Sequence, residues 1–260
     1  MPKDFAYASK HARADGTYAY SVTETETWGH LFQRQMTYLD GRIAPQFLQG
    51  VKALGLTGDE VPQIKAVSAR LGELTGAGVE GVPAIIPPSQ FFRLLAERKF
   101  PVATFLRRPE DIDYIEEPDL FHEVFGHCPM LTDPFFCDFI ERFGQIAMTL
   151  PKGTSWHLFR LFWFTVEFGM IDTPEGPRAY GAGIASSPSE ARNACEGSPL
   201  LRPFDLIEVL RTPYRIDIVQ PLYFVIPSFK ELARVLDQDI AQAIDDAKEL
   251  GDHTPLFEPA

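Results

Sequence analysis

The chain has 260 residues, 45% of them hydrophobic and 21 of them Phe, which is enough apolar material for one large domain. Its formal net charge of -12 argues against a nucleic-acid binder, which needs a basic face, and against adhesion to an anionic membrane. The three cysteines do not make a disulfide framework, and no segment resembles a secretory signal or a membrane span, so we expect a cytoplasmic protein.

Helical spacing of apolar residues dominates the first half of the chain. It predicts helices over residues 25–50 and 61–74, and a third helix that runs to Lys99 with Ser89 as its N-cap. A proline-bearing loop precedes Ser89, and residues 100–106 are typical of a short strand.

The second half is predicted to mix helices with loops. We expect a short helix that begins at Leu120 and is capped by Asp119. The remaining predictions are a buried helix over 158–171, a loop over 174–199 with a short helix from Ser189, a strand or hairpin over 215–226, and a closing helix over 229–250. Neither a parallel βαβ pattern nor a Gly-rich nucleotide loop is evident. The predicted fold class is α+β and predominantly α-helical, in a single domain.

The segment 117–129 carries two of the six histidines, His122 and His127, five positions apart. The zinc-protease motif H-E-x-x-H places its histidines four apart on one face of a helix, so this is a different pattern. On a regular helix, side chains five apart differ by about 140° around the axis and do not share a metal. We therefore expect the helix to end at Gly126, so that the chain can bring His127 back towards His122.

Glu167 is the candidate for a third ligand. It lies within an apolar run, where a carboxylate costs several kcal/mol unless it is paired or bound to a metal. Two histidines and one carboxylate form the facial triad of non-haem Fe(II) oxygenases, which leaves positions open for oxygen and substrate. Spacing alone leaves a zinc site as the alternative.

Four segments, taken in order, are similar to the signatures of the pterin-dependent aromatic amino acid hydroxylases. They are residues 118–129 (PDLFHEVFGHCP), 162–169 (FWFTVEFG), 180–187 (YGAGIASS) and 220–225 (QPLYFV) together with Ser228 and Phe229. The resemblance extends from about Trp28 to about Phe229. It implies that His122, His127 and Glu167 bind Fe(II).

The resemblance also implies a cofactor site. Glu123 is expected to lie near a tetrahydropterin and to take part in catalysis. Phe91 matches an aromatic residue that stacks on the pterin ring, which fits the preference of flat heteroaromatic rings for offset contact. The loop before Ser89, with Ala84 and Ile86, is expected to meet the edge of the pterin.

The substrate residues are likewise implied by the resemblance. Arg107 matches an arginine that binds the amino acid carboxylate, a task suited to its planar, bidentate side chain. Trp163 and Phe168 are expected to form walls of an aromatic pocket, Ser186 lies in a substrate loop, and Tyr114 is expected near the mouth. Two positions depart from relatives: Phe162 stands where many have Tyr, and Ile115 stands where animal members have Thr.

The implied reaction is hydroxylation of L-phenylalanine to L-tyrosine with O2, at Fe(II), with tetrahydropterin as cofactor. The chain has no room for the regulatory domain and tetramerisation helix of animal members. We therefore expect a monomeric, single catalytic domain over 1–260, with an arm over about 1–20 and a tail over about 251–260. The alternatives are a tryptophan or tyrosine hydroxylase, a zinc hydrolase with Glu123 as base, and a non-catalytic binder of pterin or amino acid.

Overall fold

The computed structural model describes residues 7–83, 85–151 and 153–258. Its α-helices are α1 (Val22–Leu39), α2 (Pro45–Ala53), α3 (Ile64–Thr75), α4 (Pro88–Ala96), α5 (Pro134–Thr149), α6 (Ser155–Phe162), α7 (Ala182–Ala185), α8 (Pro188–Glu196), α9 (Leu206–Arg211), α10 (Phe229–Val235) and α11 (Ile240–Leu250). Two π-helices span Phe121–His127 and Trp163–Glu167. The strands are β1 (Gly78–Val82), β2 (Lys99–Ala103), β3 (Met170–Ile171), β4 (Arg178–Ala179), β5 (Leu200–Pro203) and β6 (Leu222–Ile226). Helices outnumber strands, which confirms the predicted predominantly helical α+β class.

The first predicted helix is two helices. α1 begins with a capping box in which Ser21 and Glu24 satisfy each other's backbone N–H groups. It ends at Leu39, and Gly41 then adopts a left-handed conformation with φ of 68°, which a helix does not allow. α2 restarts at Pro45, whose missing N–H is tolerated in a first turn. The prediction of one helix over 25–50 was therefore wrong.

β1 and β2 pair in parallel, with α4 as the connection between them, so the absence of a βαβ pattern was also predicted wrongly. The sequence of β1, GVEGV, hides the unit because its two glycines break the apolar run typical of a buried parallel strand. The predicted cap at Ser89 was wrong too. α4 starts at Pro88 without a side-chain cap, and its proline already supplies the starting geometry.

The second sheet has the strand order β4-β3-β6-β5. β6 pairs in parallel with both β3 and β5, which are distant in sequence. Of the predicted 215–226 strand or hairpin, only Leu222–Ile226 is a strand, and the residues before it form a loop. A hairpin requires antiparallel neighbours, so that alternative was wrong.

The closing helix is divided as well. α10 ends at Val235, and α11 begins only after Asp239, whose side chain accepts a hydrogen bond from the Gln242 backbone N–H at 3.0 Å. A capping aspartate favours a new helix start over continuation of the old one. The predicted single helix over 229–250 was therefore wrong.

One hydrophobic cluster connects almost every element, from Trp28 in α1 to Ala247 in α11. Phenylalanine rings form much of it: Phe121 stacks on Phe125 with centroids 4.8 Å apart, and Phe125 also meets Phe32 and Phe47 edge-on. Because Phe121 and Phe125 belong to the first π-helix, these contacts anchor that helix to the core. Within the described ranges, no helix combines the length and apolar character needed to cross a membrane.

Candidate metal and substrate site

The first π-helix solves the spacing of His122 and His127. In a π-helix, backbone hydrogen bonds join residues five apart instead of four apart, so side chains five apart lie on the same face of the helix. The two Nε2 atoms are 3.2 Å apart, and the ring planes are almost perpendicular at 89°. The π-helix continues through Gly126 to His127, so the expected helix end at Gly126 was wrong.

Gly126 has a different role, which is close approach. A Cβ at this position would lie 3.1 Å from both the Cβ and the carbonyl oxygen of Ala182 in α7. Glycine therefore allows the π-helix to pack directly against α7, the short helix that leads to Ser186.

Glu167 ends the second π-helix and faces both imidazoles. Its carboxylate oxygens lie 3.5 Å from His122 Nε2 and 3.2 Å from His127 Nε2. Burial acts to raise the pKa of Glu167, but the contacts with His127 and His122 outweigh it and hold the pKa below its ordinary value. The result is two nitrogens and a carboxylate converging on one point.

Ser186 determines which nitrogen of His122 faces that point. The Ser186 hydroxyl donates to the Ala182 carbonyl at 2.8 Å, so its oxygen is left to accept from His122 Nδ1 at 2.8 Å. The proton of the imidazole is then on Nδ1, and the Nε2 lone pair is directed at Glu167 and His127. Burial also lowers the pKa of His122 to about 4, which keeps the ring neutral, as metal binding requires.

Glu123 is the second carboxylate at this point. Its Oε2 lies 3.8 Å from His127 Nε2, and ligand atoms of His122, Glu123 and His127 all lie within 4.8 Å of one another. Burial, followed by the charges of Glu167 and Asp119, raises the pKa of Glu123 well above its ordinary value. Glu167 is the closer carboxylate to both imidazoles and is therefore the better ligand candidate.

The neighbouring thiol is not a further ligand candidate. Cys128 is buried, and burial raises the pKa of its thiol, which leaves the sulfur protonated. Its hydrogen bond, from Sγ to the Glu123 carbonyl at 3.5 Å, points back into the helix.

The candidate ligand groups of His122, Glu123, His127 and Glu167 face a cavity of about 810 Å³. Its lining includes every predicted site residue in the described ranges: Ile86, Phe91, Arg107, Tyr114, His122, Glu123, His127, Trp163, Glu167, Phe168 and Ser186. Ala84 lies outside the described residues. Tyr114, which we expected near the mouth, is 63% exposed. The two departing residues, Phe162 and Ile115, line the same cavity.

One side of the cavity is aromatic. Phe91 lines the cavity and meets the Phe162 ring at a steep angle, with centroids 5.3 Å apart. Trp163, which also lines the cavity, packs against Phe168 at 4.5 Å and stacks on Tyr214 at 4.4 Å. Flat apolar surfaces of this kind suit aromatic rings rather than charged or aliphatic ligands.

Arg107 is held by an acidic partner that the sequence did not identify. Its Nε and Nη2 donate to the two oxygens of Asp119 at 2.8 and 2.9 Å, and both side chains are buried. Burial acts to raise the pKa of Asp119, but Arg107 outweighs it and the pKa is lowered. Asp119 also accepts from the His122 backbone N–H at 3.0 Å, so it does act as a cap, as predicted, while orienting Arg107.

Other residues of the site were missed altogether. Gln220 accepts a hydrogen bond from the Trp163 indole N–H at 3.0 Å, and Glu190 lines the cavity from α8. Residues 216–219 border the mouth. For Gln220 the family signature at 220–225 was a local signal that could have identified it, whereas no local sequence signal marks Glu190 or residues 216–219.

Comparison with known proteins gives a consistent picture. Residues 1–249 match the family described as biopterin-dependent aromatic amino acid hydroxylase. The chain is 44% identical to phenylalanine-4-hydroxylase of Pseudomonas aeruginosa over 257 residues, which cover 99% of this chain and 98% of that protein. It is 44% identical to the Vibrio cholerae phenylalanine-4-hydroxylase, with 97% and 88% covered. A solved phenylalanine hydroxylase from Legionella pneumophila superposes with a TM-score of 0.94 at 45% identity, with 96% of this chain and 100% of that chain covered.

Proposed function

The chain belongs to the biopterin-dependent aromatic amino acid hydroxylases, and on that basis we propose that it is a phenylalanine 4-monooxygenase that converts L-phenylalanine to L-tyrosine with O2. The observation that carries the proposal is the convergence of two imidazoles and one carboxylate, 3.2 to 3.5 Å apart, at a cavity with aromatic walls. Family membership weighs against the zinc hydrolase that spacing alone left open.

His122, His127 and Glu167 are the proposed ligands of Fe(II). Two nitrogens and a carboxylate suit this ion, and the donor set leaves coordination positions for other ligands. Bound iron and tetrahydropterin supply the oxygen activation, and the protein supplies position and shelter from water. Ser186 is expected to support the site by holding His122 in the productive tautomer.

Glu123 and Phe91 are proposed to serve the pterin. Phe91 offers a ring face for stacking, and Ile86 with Ala84 is proposed to meet the pterin edge. Burial, together with the charges of Glu167 and Asp119, raises the pKa of Glu123, which favours the protonated carboxyl more than in an exposed glutamate.

Arg107, Trp163, Phe168, Ser186 and Tyr114 are proposed to form the substrate site. Asp119 fixes the guanidinium of Arg107 in one orientation, and the unused Nη1 then remains to bind the amino acid carboxylate. Trp163 and Phe168 flank the aromatic ring, Ser186 lies beside it, and Tyr114 stands at the entrance. We further propose a single catalytic domain that acts as a monomer in the cytoplasm.

The deciding experiment is product analysis. Purified protein is loaded anaerobically with Fe(II) and given tetrahydropterin, air and L-phenylalanine, with L-tryptophan and L-tyrosine in parallel. We expect tyrosine as the main product, only with iron and pterin, and none from His122→Ala. Mainly 5-hydroxytryptophan or dihydroxyphenylalanine would instead indicate the other family activities. A folded, iron-loaded protein that hydroxylates none of the three would contradict the proposed function.

A further inference from the structure

Glu190 in α8 is a buried carboxylate that has no role in the proposed chemistry. Glu190 is 6% exposed, and its carboxylate makes no salt bridge with any residue in the described part of the chain. Its oxygens instead accept hydrogen bonds from the Gln220 backbone N–H at 2.9 Å and from the Tyr223 hydroxyl. A buried carboxylate satisfied by neutral donors alone costs free energy that an apolar side chain would not.

Glu190 accepts a hydrogen bond from the Gln220 backbone, and both polar atoms of the Gln220 side-chain amide are also hydrogen-bonded. Its Oε1 accepts from the Trp163 indole N–H at 3.0 Å, and its Nε2 donates to the carbonyls of Arg215 at 2.9 Å and Ile218 at 2.8 Å. Its own carbonyl accepts from Asn193 Nδ2 at 2.9 Å. With 2% exposure and every polar atom bonded, Gln220 has one orientation available.

The hydrogen bonds of the Gln220 side chain reach two parts of the cavity lining, Trp163 and the loop before Gln220. Trp163 is a wall of the proposed substrate pocket, and its ring plane is limited further by the stacked Tyr214 at 4.4 Å. Residues 216–219 lie between Arg215, whose carbonyl Gln220 binds, and Gln220 itself. They border the mouth, where Ile216 and Val219 expose apolar side chains. A shift of Gln220 would therefore change the pocket's width and its entrance together.

We propose that Glu190, acting through Gln220, is a positioning residue that sets the place of Trp163 and of residues 215–219, and thereby the size of aromatic ring that the site accepts. This inference rests on the proposed function, because it assigns specificity to the same cavity. Glu190 and Gln220 act through Trp163 and the loop, whereas Trp163 itself contacts substrate.

The test compares Gln220→Met, similar in shape but without an amide, with Glu190→Gln and Glu190→Ala. Steady-state kinetics on L-phenylalanine and L-tryptophan are combined with 19F NMR of protein labelled with 5-fluorotryptophan. Gln220→Met is expected to lower the preference for phenylalanine, as a ratio of kcat/KM values, by about tenfold, mainly through KM. Glu190→Ala should act in the same direction, and Glu190→Gln, which keeps one acceptor, should recover most of the preference.

The NMR readout does not depend on activity. The Trp163 resonance, assigned by its loss in Trp163→Phe, should shift or broaden in Gln220→Met and Glu190→Ala. Trp28, whose indole N–H is bonded to the Thr57 carbonyl at 2.8 Å in the core, is the internal reference and should not move. If one variant fails to fold, the isosteric Glu190→Gln still tests the connection through a smaller shift of the same resonance.

Asp239→Ala is the matched control, because loss of the α11 cap lowers stability far from the cavity lining. It should leave both selectivity and the Trp163 resonance unchanged. An unchanged Trp163 resonance in folded Gln220→Met, or equal losses on both substrates with kcat rather than KM affected, would overturn the inference. Failure of the wild type to form tyrosine would contradict the proposed function, while the resonance would still report on the network.

Discussion

The hydroxyl of Ser186 shows how much a single residue can determine in this site. It has one proton, which goes to the Ala182 carbonyl, and this forces His122 to donate from Nδ1. The lone pair on Nε2 is then fixed towards the proposed metal. Groups that orient a ligand in this way typically contribute 10- to 100-fold in metal affinity.

Ser186→Ala is therefore expected to weaken Fe(II) binding by about 10- to 100-fold, because the His122 tautomer is no longer fixed. Anaerobic Fe(II) titration measures the dissociation constant. The control is Ser189→Ala: Ser189 lines the same cavity, but its hydroxyl bonds to Ser187 at 3.0 Å and not to a ligand. Equal affinities in wild type and Ser186→Ala would contradict the assignment.

The raised pKa of Glu190 predicts that the free energy of unfolding depends on pH. Burial, partly offset by the bonds from Tyr223 and Gln220, raises its pKa from 4.5 to about 6. The native carboxyl thus binds its proton more tightly than the unfolded one, so its contribution to stability is present below pH 4.5 and is lost as the pH rises through 6. This shift corresponds to about 2 kcal/mol.

Glu190→Gln should remove that dependence. The free energy of unfolding of wild type relative to Glu190→Gln is expected to fall by about 2 kcal/mol between pH 4 and pH 7. Urea unfolding at one-unit pH intervals measures this difference, and other titrating groups cancel because both proteins share them. Parallel curves for the two proteins would show that Glu190 ionises normally in the native state.

At the level of elements, the two π-helices bring the metal candidates together. The first makes His122 and His127 neighbours, and the second ends at Glu167. A π-helix has fewer favourable contacts along its axis than an α-helix and is usually short, so packing must support it. Here the support comes from the packing of Phe125 against Phe32 and Phe47, and from contact with α7.

Gly126→Ala tests this support, because the new Cβ would lie 3.1 Å from Ala182. We expect a loss of about 1–3 kcal/mol in the free energy of unfolding and weaker Fe(II) binding as the π-helix is pushed from α7. Urea unfolding and metal titration provide the two measurements.

Gly72→Ala is the control for the same chemical change. Gly72 lies within α3, and its added Cβ would meet only the Ala77 carbonyl at an ordinary 3.7 Å. This variant should gain about 0.5–1 kcal/mol, because alanine favours the helix. Stability changes of the same sign in both variants would contradict the packing argument.

The whole molecule has one continuous core, and its cavity is built from segments that are distant in sequence. α1, α5 and α11 all contribute to one hydrophobic cluster, and no gap divides it among the described residues. This arrangement favours the proposed single domain.

We expect one cooperative unfolding transition as a consequence. Tryptophan fluorescence, which reports on Trp28, Trp156 and Trp163, and far-UV circular dichroism should give coincident urea curves with the metal removed. Asp239→Ala should move both curves together, although it changes only the α11 cap. Separated transitions would indicate that part of the chain unfolds independently.

What the sequence determined by itself was the set of candidate metal ligands and the broad class of fold. His122, His127 and Glu167 belong to local signatures, and the helical periodicity of most segments is also a local property, so both can be predicted without three-dimensional contacts. The breaks between α1 and α2 and between α10 and α11 were accessible in principle from Gly41, Pro45 and Asp239.

The tertiary structure alone decided which distant residues became partners. The pairing of Arg107 with Asp119, the hold of Glu190 on Gln220 and the parallel pairing of β1 with β2 all depend on long-range packing. A buried arginine requires an acid and a buried amide requires donors and acceptors, but a sequence offers many candidates for each. The packed core determines which candidate becomes the partner, because it brings one of them within hydrogen-bond distance and excludes water.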